Sequence, residues 1–252
     1  MTEFNRYDKL NFFVDKLGND RIYPLSIAEK IQSGEIFADN AENPSAVLFW
    51  HYCGFAYISG SYTENFVNDI LSLMRCPTSN HSGRLVLHTQ NDAELSRLIL
   101  RNSDIQQKER YCFEFAERKT PLQPLSTPLR LVRIDAQNYY LLCGRITPAF
   151  SWKSKQDFLH NGFGWCILNG SEFAACAFSS AVSSEFVDIG VETAPAYQGK
   201  GLGKIVASAM IDEILKHGKK PLWECNSTNE ASKRLALSVG FRISGTHPMF
   251  TL

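Results

Sequence analysis

The sequence predicts an α/β protein of two domains, each built on a mixed, mostly antiparallel sheet flanked by helices. Apolar runs of strand length alternate along the chain with segments whose apolar residues recur at helical spacing. The stretch Lys119-Thr-Pro-Leu-Gln-Pro-Leu-Ser-Thr-Pro128 sets three prolines in eight residues, which removes backbone donors and disfavours both helix and central strand. The order strand, glycine turn, helix, strand, helix runs once on each side of it. The domains are therefore set at 1–120 and 129–252, with 121–128 as linker.

In the first domain, Ala46 to His51 and Cys53 to Ile58 are aromatic and β-branched runs followed by a Gly60-Ser61 turn. Phe66, Val67, Ile70, Leu71, Leu73 and Met74 form a helical stripe, Arg84 to His88 is a strand, and Leu95, Leu98 and Ile99 lie on one face of a short helix opened by Asn91-Asp92. In the second domain, Leu129 to Ile134 is a strand. Pro148 to His160 is a helix or helix pair with Phe150, Trp152 and Phe158 turned inward, and Phe163 to Leu168 joins Phe173 to Phe178 through an Asn169-Gly170-Ser171 hairpin turn. Val187 to Val191 is a strand with Val187, Ile189 and Val191 on one face and Asp188, Gly190 and Glu192 on the other. A long helix starts near Leu202 and stops at His217-Gly218. Pro221 to Cys225 is a strand, Ser227-Thr-Asn-Glu230 has the form of a capping box for a helix running to Val239, and Phe241 starts the last strand. The repeated order fits a degenerate internal duplication.

Composition limits the partners. The 252 residues carry 26 basic and 26 acidic side chains, so no electrostatic footprint favours nucleic acid or an anionic membrane. No stretch approaches the roughly 18 apolar residues of a spanning helix, and the N-terminal MTEFNRYDKLNFF lacks the basic-then-apolar order of a signal peptide. A cytoplasmic location is expected. The seven cysteines have no CxxC spacing and the six histidines no HxxxH, so no metal is expected and the thiols read as small buried hydrophobes.

Chemistry concentrates in Glu192-Thr-Ala-Pro-Ala-Tyr-Gln198-Gly199-Lys200-Gly201-Leu202-Gly203-Lys204, between a strand and an amphipathic helix. Main-chain N–H groups at a helix start lack intrahelical partners and sit at the positive end of the helix dipole, so this turn can cradle a diphosphate that glycines let approach. Neither the Walker A spacing nor G-x-G-x-x-G is present.

Gln198-Gly-Lys-Gly201-Leu-Gly203 fits the signature Q/R-x-x-G-x-G/A. Asn229-Glu-Ala-Ser232-Lys-Arg-Leu235-Ala236-Leu-Ser-Val-Gly240-Phe241 resembles N-x-x-[AS]-x-x-L-Y-x-x-x-G-F. Both belong to the GCN5-related N-acetyltransferase (GNAT) superfamily. The wording VDIGVETAPAYQGKGLG before a PxW strand further resembles a bacterial subgroup in which a degenerate acetyltransferase-like domain precedes the active one. The resemblance implies two GNAT-like domains, with a splayed strand pair in the C-terminal one binding acetyl-CoA as co-substrate between strands 187–193 and 221–225. It implies that the backbone of Val191 and Thr193 pairs with the pantetheine arm. The amides of Gln198, Gly199, Lys200, Gly201, Leu202, Gly203 and Lys204 would hold the pyrophosphate, and Asn229 would touch the cofactor beyond it. The N-terminal half has only Ser59-Gly-Ser-Tyr-Thr63 at the matching place, so one cofactor site per chain is expected.

The implied activity is transfer of an acetyl group to a primary amine of a small molecule. The alternative is a non-catalytic acyl-CoA-binding or regulatory protein, motivated by Ala236, which stands where the family often has a tyrosine that protonates the leaving thiolate. Ser232, Cys225, Tyr197 or water remain as substitutes. An alkyl ammonium acceptor must lose a proton before it attacks, and the expected catalytic carboxylates are Asp188, where the family often carries a glutamate, and Glu192, with Glu185 upstream. Phe150, Trp152, Phe158, Phe163 and Trp165 read as core in preference to an acceptor pocket, and Trp223 as a wall.

Overall fold

The computed structural model describes residues 1–77, 83–118 and 124–252. Residues 119–123, where the proline-rich boundary begins, lie outside the described residues. The chain divides into two compact units, Met1–Arg110 with Thr246–Leu252, and Tyr111–Gly245. Among the described residues no helix is long and apolar enough to cross a membrane.

The first unit contains β1 (Thr2–Glu3), α1 (Asn11–Asp15), α2 (Ile22–Ala28), β2 (Gly34–Ala38), β3 (Ala46–His51), β4 (Phe55–Gly60), α3 (Glu64–Arg75), β5 (Val86–His88), α4 (Ala93–Ile99) and the start of β6 (Gln106–Phe115). Strands β1 to β4 pair antiparallel in sequence order, β4 and β5 are parallel, and the chain's last strand closes on β5 antiparallel through Met249↔His88. One sheet face packs Leu48, Trp50, Ile58 and Leu87 against Phe66 and Ile70 of α3. Helix starts follow side-chain chemistry. Thr63 accepts from the Phe66 amide at 3.2 Å, and Asp92 accepts from Glu94 and Leu95, satisfying donors that a first turn leaves open.

The second unit adds β7 (Leu129–Arg133), α5 (Pro148–Ser151), α6 (Lys155–Asn161), β8 (Gly164–Asn169), β9 (Glu172–Val182), β10 (Phe186–Thr193), α7 (Leu202–Lys216), β11 (Lys220–Asn226), α8 (Glu230–Ser238) and β12 (Phe241–Thr251), whose first residues belong here. Its strand order is β12-β6-β11-β10-β9-β8-β7. The pairs β7/β8, β8/β9 and β9/β10 are antiparallel, and β10/β11 is parallel. Both units are thus mixed, mostly antiparallel sheets flanked by helices.

Two local expectations change. The start of α8 is capped by Asn229, whose side chain accepts from the Ser232 amide at 3.1 Å, so Ser227 lies outside the helix and the capping-box reading fails by two residues. Of the helix or helix pair expected over 148–160 the structure has the pair, broken at Trp152, a residue in extended conformation. Phe150, Phe163 and Trp165 stay half-buried, while Trp152 and Phe158 enter the core as expected.

Candidate active site

Strands β10 and β11 pair only through Phe186↔Lys220, Val187↔Pro221 and Asp188↔Leu222, although β10 continues to Thr193 and β11 to Asn226. Beyond Asp188 the two strands part. At the same point a β-bulge interrupts β9, since Asp188 faces Ala181 and Ile189 faces Ser179, leaving Ser180 extra. A bulge bends and twists the pair it sits in, which turns β10 away from its parallel neighbour.

The parting leaves peptide groups open. Ala194 donates to Ala174 of β9 at 2.9 Å. In an antiparallel ladder alternate residues bond to the same partner, so Val191 and Thr193 turn their N–H and C=O groups away from β9, toward the side β11 has left. Those are the two residues expected to meet a pantetheine arm.

The turn from β10 into α7 completes the cleft. Gly199 and Gly201 adopt φ of +75° and +77°, the left-handed region that glycine enters at no steric cost. Gly201 is the N-cap of α7 and offers no side-chain oxygen. Among the described residues, the amides of Gly199, Lys200, Gly201, Leu202 and Gly203 donate no hydrogen bond to the protein, whereas those of Gln198 and Lys204, expected to join them, are taken by the Pro195 and Gly201 carbonyls, and Ile205 also bonds back to Gly201. A Cβ at Gly199 or Gly201 would meet nothing within 4 Å, so the cradle is open. Gly203 serves packing: a Cβ there would lie 3.3 Å from Thr193 Oγ1 and 3.4 Å from Leu235 Cδ2, which brings α7 close to β10 and α8. Five unpartnered amides at a helix N-terminus, beside a splayed strand pair, fit the pyrophosphate and extended arm of a coenzyme A ester.

The remaining candidates divide. Asp188 is the last β10 residue paired with β11, so it stands at the fork of the splay, and it is 4% exposed. Glu192 accepts from the Ile146 amide at 2.7 Å through Oε2. Glu185 is paired with Lys220 at 2.8 Å on the surface, away from the fork. Ser232 accepts from the indole N–H of buried Trp223 at 3.0 Å, which orients its hydroxyl. Tyr197 donates its phenol proton to Glu172 at 2.9 Å and accepts from Asn169, so it braces the β8–β9 hairpin end. Cys225 is buried on β11, and Asn229 caps α8. Gln198 reaches back to the Thr193 carbonyl at 3.3 Å, and Lys200 lies over the Tyr197 ring. Opposed across β8 and β9, Cys166 has its thiol pushed up to about 12 and Cys176 higher still, chiefly by burial, which keeps both protonated.

Two features escaped the sequence. The Trp223–Ser232 bond joins named residues whose pairing no spacing reveals. The turn Gly144–Ile146 carries only one glycine as a signal, and its place over Glu192 comes from tertiary structure.

Comparison with known proteins places this cleft in context. A family model described as GNAT acetyltransferase matches residues 15–250. The chain is 25% identical over 243 residues to an uncharacterized N-acetyltransferase, YdfB, of Bacillus subtilis, covering 94% of this chain and 92% of that protein. It is 31% identical over 97 residues to the ribosomal protein bS18-alanine N-acetyltransferase of Escherichia coli, a match spanning 37% of this chain and 66% of the relative. Among solved structures, a GCN5-related N-acetyltransferase-like protein from Streptococcus suis superposes with a TM-score of 0.77 at 22% identity, over 98% of this chain and 99% of that one. A tandem GNAT protein from the clavulanic acid biosynthesis pathway gives 0.61 at 10% identity, over 98% and 95%.

Proposed function

This chain belongs to the GNAT acetyltransferase family, and on that premise we propose that it moves an acetyl group from acetyl-CoA to a primary amine of a small molecule, by direct attack with both substrates bound. The observation that carries the reading is the run of five open amides at the start of α7 beside the β10/β11 splay. When bound, acetyl-CoA supplies an activated thioester. The loop amides hold its pyrophosphate, and the outward peptide groups of Val191 and Thr193 align the arm so that the thioester points to the fork at Asp188. Asp188 receives the proton of the incoming ammonium, directly or through water. Ser232, oriented by Trp223, donates a hydrogen bond to the departing sulfur. A serine hydroxyl is too weak an acid to hand its proton over for good, so the second proton of the acceptor nitrogen, released as the C–N bond forms and the C–S bond breaks, reaches the sulfur through water and completes the thiol.

The Escherichia coli relative acts on an alanine of a ribosomal protein, which makes the acceptor class the point to test. Purified protein with acetyl-CoA and a panel of small primary amines and short peptides, read by free-thiol release, decides it. Turnover with small amines supports the proposal. Turnover with peptide N-termini alone replaces the acceptor class, and binding of acetyl-CoA with no turnover on any amine favours the non-catalytic alternative.

A further inference from the structure

Gly203 approaches the side chains of Val191 and Thr193, so these point to the α7 side of β10. Glu192 between them points to the other side, by the strand period of two. On that side β10 is met by the turn after Leu142 and, at Gly190, by the ring of Phe178, which packs on Phe158. The turn is moulded on the Glu192 side chain. Oε2 accepts the Ile146 amide at 2.7 Å, and Gly144, at φ +117°, lies so close that a Cβ would stand 2.7 Å from Glu192 Cγ and 2.9 Å from Cδ. The contact needs both a side-chain oxygen acceptor at 192 and no side chain at 144.

We infer that Glu192 is a positioning residue, a strut that fixes the turn 143–147 on β10 and so shapes the acceptor side of the cleft, and that it is not the base. The inference rests on the acetyltransferase reading above for its acceptor-side consequence, but the strut itself does not. With the cofactor arm on the peptide edge of Val191 and Thr193 and its pyrophosphate at α7, the acceptor approaches from the face α7 leaves open. That is the face bearing Glu192 and the turn it holds. One of its two carboxylate oxygens, Oε2, is already committed to a main-chain N–H. The residue on the same face with a place at the fork is Asp188. Glutamine at 192 keeps a carbonyl oxygen for the Ile146 amide, whereas alanine does not, and Gly144→Ala disturbs the turn with the carboxylate intact.

The test uses the full-length chain in two readouts. Hydrogen exchange of a peptide covering residues 142–150 reports the strut without turnover: exchange rises at least tenfold in Glu192→Ala and in Gly144→Ala, and Glu192→Gln restores protection. Steady-state kinetics on the best amine show the acceptor KM raised about tenfold in both disruptive variants while kcat moves less than threefold, with recovery in Glu192→Gln and the acid limb of its pH profile kept. A Glu192→Gln enzyme that loses 10²–10⁴-fold in kcat, roughly the worth of general-base catalysis, with a flattened acid limb overturns the inference. Unchanged exchange in both Glu192→Ala and Gly144→Ala also overturns it. If no amine is turned over by the unmodified chain, the exchange readout still decides the strut, and the failure counts against the acetyltransferase reading alone.

Discussion

Asp188, Ser232 and Gly201 show how unequal residues are as carriers of information. Glycines at 199, 201 and 203 were legible as a cradle because left-handed backbone and close approach both demand glycine, and the structure assigns the first role to 199 and 201 and the second to 203. Asp188 was legible as an acid on a strand, but its place at the fork follows from a bulge in β9 that leaves no mark in the sequence of β10. Its replacement gives a clear expectation. On the proposed mechanism Asp188→Asn removes the proton acceptor, so kcat is expected to fall by about 10²–10⁴-fold and the acid limb of the pH–rate profile to flatten, with affinity for acetyl-CoA nearly unchanged. Raising the pH restores part of the rate, because more of the amine is then free base. Stopped-time thiol release across pH 6–9 checks this, and a variant with the parent's kcat at neutral pH refutes it. Ser232→Ala should cost less, about tenfold in kcat, since it removes one hydrogen bond to the leaving group, and Trp223→Phe should cost part of that by freeing the serine rotamer. If Trp223→Phe slows the reaction more than Ser232→Ala, the tryptophan acts by another route than orienting that hydroxyl.

Elements were readable where one face is apolar and the ends carry caps. Strand β3 coincides with its expected span, α3 and α7 follow their stripes, and the hairpin of β8 and β9 turns where Asn-Gly-Ser places it. The first 38 residues and β6 carry no legible period. The helices α1 and α2 are only five and seven residues long, and β6 is polar over its first half, so neither period accumulates enough repeats to show. Long-range pairing was equally hidden: nothing in the periodicity of β12 says that its end joins β5, or that His247 beside that end meets His88 at 2.9 Å. That pair has a thermodynamic consequence. His88 is fully buried, and its protonation is pushed well below the ordinary range by burial first, then by the charges of His247, Arg110 and Arg84. A group whose folded value is depressed leaves the unfolded chain as the better proton binder. Its contribution is therefore intact above the unfolded pKa of about 6.5 and declines as pH falls below it, at about 1.4 kcal/mol per pH unit for one proton. Thermal unfolding between pH 7.5 and 5 should show the loss, and His88→Phe, which preserves stacking on Tyr57, should flatten the slope while lowering stability at pH 7.5. A slope unchanged by the substitution would remove His88 as the cause.

At the scale of the whole chain, the same order of elements occurs in both units, yet the two strand-to-helix turns are built for different ends. In the second unit the turn into α7 leaves five amides open and puts nothing within 4 Å of Gly199 or Gly201. In the first unit the turn from β4 into α3 is closed by its own side chains and main chain. Gly60 is hemmed so tightly that a Cβ would stand 2.2 Å from the Ser45 carbonyl and 2.9 Å from the Phe13 ring, the Ser61 amide bonds to Ser45, and Thr63 takes the Phe66 amide that an anion would otherwise find. An anion at that helix start would have to displace a cap typically worth about 1 kcal/mol and reopen a packed turn. The expectation is one coenzyme A per chain, held by the second unit. Native mass spectrometry with saturating coenzyme A should show a single mass increment, and Gly201→Val, which forces a β-branched residue into φ +77° and fills the cradle, should abolish that increment altogether, with the chain still folded by circular dichroism. A second increment in the parent protein would overturn the single site and point to the first unit's closed turn opening, whereas one surviving in the folded Gly201→Val variant would overturn the assignment of the cradle to the turn before α7.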